Sequence, residues 1–245
     1  MVRIFVVIIG SFELPCYRDF IRMRKLQLEK YNIPHLFLFD GEIPDDYILD
    51  PQDRVYLKEE PPWPVMNELN TRHGALNPHM VLKFLKGIRE IDDTQYDYIL
   101  RINLSTFINF PKLINILEIY PKQYFTAGHV MKFQIPDWRP NPHDDLEFIA
   151  GTCMVFSSDV VGFFKSIPLK SYILYEHNDD VVLSFLAKLY VNTFVPLHVV
   201  FLENYSLVNT INVNTGSIYR IKCQDRNYDI KIWKELLKLC DTIHA

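Results

Sequence analysis

The stretch YDYILRINLSTFINF, residues 96–110, decides how this chain is read. Its first half is an apolar run of the kind that fills a buried strand, and polar residues appear at Asn103, Ser105 and Thr106 where that strand would end. Open α/β sheets bind ligands outside the carboxyl ends of their strands, so this change of character marks a candidate site.

The sequence before the stretch supplies the rest of such a sheet. VRIFVVIIG (residues 2–10) reads as a first buried strand, residues 17–31 have the spacing of a surface helix, and HLFLFD (residues 35–40) reads as a second strand. This is the βαβ signature of a parallel sheet with helices on its faces. Residues 42–64 are rich in Pro and Asp and predict a loop, with a short strand at 54–58. Helical spacing returns over 74–91 with Val81, Leu82, Leu85 and Ile88 on one face, and Pro111 opens a short helix running to Ile119.

Residues 129–147 hold three prolines and no periodicity, which predicts a long functional loop. A strand follows over 148–156, then a helix to Phe164 for which Ser157 and Ser158 are candidate caps. A second helix starts near Asn178, with Val182, Phe185, Leu186 and Leu189 at the spacing of one buried face. A strand at 199–202, an irregular stretch and a helix over 230–239 close the chain. The expectation is one α/β domain over residues 1–245, an α/β/α sandwich around a mostly parallel sheet.

Composition narrows the function. With 49% hydrophobic and 14% aromatic residues in 245, the chain can bury a substantial core. A formal charge of −4 lacks the basic excess that nucleic-acid binding requires. Cys16, Cys153, Cys223 and Cys240 show no metal-ligand spacing and read as reduced thiols, and His73, His79 and His129 read as structural or surface residues. The run Ile4 to Ile9 is too short for a signal core or a membrane span, so a cytoplasmic protein is expected.

Residues 97–101, followed by Phe107, Ile108 and Asn109, resemble the strand of GT-A glycosyltransferases that carries their metal-binding Asp-x-Asp motif. In the β-1,3-galactosyl- and N-acetylglucosaminyltransferase branch, three consecutive aspartates would fall on Asn103, Leu104 and Ser105, so both metal-binding carboxylates are replaced here. Bacterial and large-virus glycosyltransferases of chlorovirus and mimivirus type are also similar. The resemblance implies a GT-A-like, Rossmann-like fold. It also implies a nucleotide-sugar donor, in particular a UDP-sugar, and a glycan or glycoprotein hydroxyl as acceptor. A cytoplasmic location then suits a bacterium, or the host cytoplasm for a virus. If a divalent cation (Mn²⁺ or Mg²⁺) takes part, the diphosphate and waters supply most of its oxygens.

Further residues carry the same resemblance. HNDDVVLSFL is similar to the family's Glu-Asp-Val segment, which puts Asp180 at the general base and Asp179 beside it. FIAGTCMVFSSDVV is similar to its small-residue strand, with Gly151 kept and Thr152 where a second glycine is common. Arg220, Lys222 and Arg226 resemble the family's basic tail and suit a diphosphate. Ser11, Arg18, Arg101, Asn103 and Ser105 complete the expected donor site, and Trp138 is the expected acceptor platform. Read without the family, acids after Asn178 equally stabilise a helix start and the tail cations equally form a solvated edge. The alternatives are an inactive GT-A-like binding module and, less favoured, a nucleotidyltransferase.

Overall fold

In the computed structural model, which describes residues 1–41, 43–56, 78–133, 146–171, 174, 178–206 and 216–244, the run IFVVIIGS forms strand β1 (Ile4–Ser11). Alternate side chains of β1 enter two separate hydrophobic layers, which is why the run is apolar throughout. Val6 and Ile8 join Phe20, Phe37, Leu100 and Trp233; Val7 and Ile9 join Leu38, Phe84, Ile99 and Leu183. Helix α1 (Cys16–Lys30) returns the chain so that β2 (His35–Asp40) lies parallel to β1, and β3 (Arg54–Tyr56) extends that edge.

Helix α2 (Pro78–Ile88) packs on the second layer, with Val81, Leu82, Leu85 and Ile88 all buried as their spacing predicts. Strand β4 (Tyr98–Asn103) then pairs parallel with β1 on the side away from β2. The order of strands reverses there, and the reversal opens a crevice at the carboxyl ends of β1 and β4.

Strands β5 (Thr106–Ile108), β6 (Thr126–Phe133), β7 (Leu146–Ser157), β8 (Val195–Pro196), β9 (Val199–Leu202) and β10 (Ile218–Ile221) complete two sheets. The larger has the order β3-β2-β1-β4-β7-β6-β8, with β7 antiparallel to both neighbours; the smaller has the order β5-β10-β9. The mostly parallel α/β/α sandwich is therefore as expected. Its remaining helices are α3 (Phe110–Leu117), α4 (Ser158–Ser166), α5 (Asp179–Lys188) and α6 (Asn227–His244). Trp233 of α6 meets Phe20 and Phe107 edge-on at 5.1 and 5.4 Å between ring centroids, tying α1, α6 and the small sheet together.

Several local expectations change. Residues 129–133 belong to β6 and 146–147 to β7, so both ends of the predicted loop are strand, and 134–145 lie outside the described residues. The buried face of α5 is Val182, Leu183, Leu186 and Ala187, while Phe185 and Leu189 are exposed. Two overlapping apolar stripes run along this helix, and packing against β7 and α2 selects the one beginning at Val182 and Leu183. Ser157 occupies the cap position of α4, but its hydroxyl lies 2.6 Å from Asp159 Oδ1 and 3.1 Å from the Phe125 carbonyl and bonds there instead. Asn178 likewise caps α5 by position without a side-chain bond.

Candidate active site

The site begins at an irregularity in the large sheet. Gly128 of β6 pairs with Met154, but Val130 pairs with Ile149, so residues 150–153 of β7 stand opposite His129 alone. This bulge turns the Gly151 peptide away from the ladder and toward side chains. Its N–H donates to Asp180 Oδ2 at 3.1 Å, and its carbonyl accepts from Arg101 Nη1. Glycine leaves room for this contact: a Cβ here would lie 2.8 Å from Arg101 Nη1 and would push the guanidinium aside.

Arg101 is almost fully buried on β4. Its Nη2 donates to the Asp179 carboxylate, and its Nε is buried without a partner among the described residues. Asp180 is fixed from several directions, its Oδ1 accepting from Val181 N–H at 2.9 Å and its carbonyl accepting from the Ser184 hydroxyl at 2.7 Å. The Ser184 oxygen in turn accepts from Ile149 N–H at 2.8 Å, which locks the first turn of α5 to β7. Burial raises the Asp180 pKa, and the charge of Asp179 adds to it; Gly151 N–H, Arg101 and Val181 N–H oppose the rise. The result is a rigidly held carboxylate more basic than a free aspartate, which suits proton abstraction.

Facing it are the ends of β4 and β10. Leu104 is buried next to Gly10, and the Ser105 carbonyl accepts from Ile221 N–H at 2.9 Å. Thr106 pairs with Arg220 in the small sheet and donates its hydroxyl to the Thr152 carbonyl at 2.7 Å. The turn at residues 103–105 and the basic tail, far apart in sequence, are thus neighbours.

Arg220 is half-buried, and its Nη1 is without a hydrogen-bond partner among the described residues. Burial first, then the guanidinium charges of Arg226 and Arg101, hold its pKa below the ordinary arginine value. Arg226 Nη1 lies 2.7 Å from Asp229 Oδ2, and its guanidinium carbon is 6.0 Å from the Tyr17 ring centroid at the start of α1. Asp229 is fully buried and accepts from Cys223 N–H at 2.8 Å, so it holds both ends of the 223–229 turn. Crowded cations of this kind are relieved by a bound anion. Lys222 is exposed beyond Arg220.

The other sequence candidates are placed as follows. Ser11 ends β1 and is half-buried in the crevice, whereas Arg18 is paired with Asp46 at 2.6 Å on an exposed surface. Asn103 is half-buried, while Ser105 and Thr152 are buried. Trp138 lies outside the described residues. Sequence reasoning missed Lys83, buried on α2 with its Nζ donating to the Gly10 carbonyl at 3.2 Å. Its signal was a cation inside the apolar run MVLKFL.

Among the described residues, those of the crevice do not fit a protein-held metal ion. Asn103 and Ser105 are neutral, Asp179 is engaged by Arg101, and three guanidinium groups share the crevice. Among the described residues no group of three or more His, Cys, Asp or Glu side chains could hold a metal. Nor is any helix among them long and apolar enough to cross a membrane.

No family model matches the chain, and no curated protein matches it in sequence. Among solved structures, a glycosyltransferase involved in the glycosylation of the major capsid of PBCV-1 matches at 9% identity and a TM-score of 0.50. That match covers 95% of this chain and 99% of the other. The bifunctional glycosyltransferase WbbM matches at 10% identity and 0.49, over 98% of this chain but only 50% of its own. A Drosophila β-1,4-galactosyltransferase 7 mutant, solved with manganese, UDP-Gal and xylobiose, matches at 13% and 0.32 over 64% and 50%. The first of these carries the fold assignment: the chain has the architecture of the GT-A-type glycosyltransferases.

Proposed function

We propose that the chain is a glycosyltransferase that moves a sugar from a nucleotide-sugar donor, a UDP-sugar in particular, to a hydroxyl of a glycan acceptor with inversion at the anomeric carbon. The observation that carries this reading is the Asp180 carboxylate, seated on the Gly151 N–H across a strand-end crevice from crowded guanidinium groups. A base and an anion-stabilising cluster are the two groups that such a transfer needs.

In this mechanism Asp180 takes the proton of the acceptor hydroxyl as that oxygen bonds to the anomeric carbon. The bond from that carbon to the phosphate oxygen breaks, and its electron pair leaves on the nucleoside diphosphate. Arg220, Arg226 and Lys222 balance the charge that develops there, while Ser11 and Asn103 hydrogen-bond the nucleotide. Arg101 acts through others, fixing Asp179 and the Gly151 peptide so that Asp180 keeps its orientation.

The experiment is nucleotide release from UDP-, GDP- and dTDP-sugars with and without acceptor glycans. Acceptor-dependent release from one donor is expected, abolished in Asp180→Asn. The neutral turn at Asn103 and Ser105 favours a second reading, a GT-A-like binding module. Nucleotide binding without turnover against any acceptor would select it.

A further inference from the structure

One aromatic side chain near the crevice is not absorbed by the mechanism above. Phe201 lies on β9, an edge strand of the small sheet, and is 44% exposed although Val199 and Leu202 of the same strand are buried. It pairs directly with Arg220, and Arg220 pairs with Thr106. Side chains opposite one another in a sheet project to the same face, so Thr106, Arg220 and Phe201 form one row. The row faces the bulge of β7, because Thr106 donates to the Thr152 carbonyl.

The ring of His129 meets Phe201 at 5.2 Å between centroids and 68° between planes. His129 is the residue that stands alone opposite the bulge carrying Gly151, and Gly151 holds Asp180. The strand pairing therefore places Phe201's partner His129 opposite the bulge on which Asp180 is seated, with Arg220 next along the row.

We propose that Phe201, braced by His129, is the platform on which the terminal pyranose ring of the acceptor lies. Pyranose rings present a face of C–H groups that packs on aromatic carbons, while their hydroxyls point outward to polar groups. A ring on Phe201 would lie beside His129, on the side of the bulge that seats Asp180, with its hydroxyl edge free. Phe201 is on an edge strand, where an incoming glycan arrives, whereas the donor's diphosphate belongs to Arg220 further in. This inference rests on the glycosyltransferase reading and refines it by naming where the acceptor sits.

The test uses the full chain and two independent readouts. Saturation-transfer NMR with methyl β-D-galactopyranoside, methyl β-D-glucopyranoside and methyl α-D-mannopyranoside reports ring contact, and calorimetry with UDP, GDP and dTDP reports the nucleotide site. At least one glycoside should show transfer to its ring C–H protons in the wild type. Phe201→Ala should reduce that transfer several-fold, Phe201→Tyr should retain it, and UDP affinity should be unchanged in both. His129→Ala should weaken the contact less than Phe201→Ala does. Retained ring contact in Phe201→Ala, or no contact of any glycoside with the wild type, would overturn the platform. Parallel loss of UDP affinity in Phe201→Ala would overturn it too, by assigning the ring to the donor side. Failure of UDP, GDP and dTDP all to bind the wild type would instead sink the nucleotide-sugar reading while leaving the glycoside result to be judged alone.

Discussion

The buried seat of Asp180 carries a cost in stability, and one substitution tests both that cost and the proposed part of Asp180 in turnover. Its folded-state pKa is raised by burial and by Asp179, so its contribution to stability is complete below the ordinary value of 3.8 and is lost as pH rises through the folded value. At neutral pH the buried charge therefore destabilises the fold. Asp180→Asn keeps the shape and removes the charge, but its single amide oxygen can accept from only one of the Gly151 and Val181 N–H groups. Thermal unfolding should show wild type gaining stability relative to the variant as pH falls from 7 through the raised folded value, the gain being complete below about 3.8. The variant's turnover should drop on the order of 10² to 10⁴ while donor affinity persists. A variant with more than about half of wild-type activity would remove Asp180 from the chemistry. The neighbouring Gly151→Ala tests the seat: a Cβ 2.8 Å from Arg101 Nη1 must displace the guanidinium. That change should cost roughly 1 to 3 kcal/mol in urea unfolding, and activity should fall with Asp180 itself intact. Normal stability and normal turnover in this variant would show that the Arg101 and Gly151 contact is dispensable.

Among the elements, the small sheet does the most to assemble the site, since β10 brings the basic tail beside the end of β4. Charge-assisted hydrogen bonds from the tail to a diphosphate contribute roughly 1.5 to 3 kcal/mol each. Arg220→Ala and Lys222→Ala should each weaken nucleoside diphosphate binding by about tenfold or more. The loss should shrink at high salt, more clearly for the exposed Lys222. Calorimetry with the bare nucleoside should give equal affinities for variants and wild type; a collapse there would mean that the tail shapes the fold and not a phosphate site. The strands carrying these residues were legible where both faces are buried: HLFLFD is β2 to the residue, and residues 199–202 are β9. The bulge between β6 and β7 was not legible. A slipped register is set by what packs around it, and the residues of β6 have no alternation to announce a strand. Asp179 and Asp180 could be picked out as acids at a helix start, but the partners that orient them, Arg101 and the Gly151 peptide, come from other strands. The role of Asp229, buried beneath Arg226, was illegible for the same reason.

The whole molecule is organised around the crevice where the strand order reverses, and each side of that crevice belongs to a different part of the chain. Residues from β1, β4, α5 and β10 reach it, so a ligand bound there bridges segments that are distant in sequence. Binding to the folded state alone stabilises the whole chain: at a hundredfold excess over Kd the gain is about 2.7 kcal/mol. For a chain of this size that corresponds to a rise in Tm of roughly 5 to 10 °C. Because Asn103 and Ser105 bring no charge to an ion and guanidinium groups already line the crevice, this gain should depend little on a divalent cation. The measurement is a thermal melt with saturating nucleoside diphosphate in EDTA, repeated with Mn²⁺ and with Mg²⁺. The shift in EDTA should be at least half of that with metal, and at the same nucleotide concentration it should fall to about half or less in Arg220→Ala under every condition. A shift that is absent in EDTA and restored by Mn²⁺ would show that a metal ion carries the diphosphate after all, and the arginine cluster would lose its place in the mechanism.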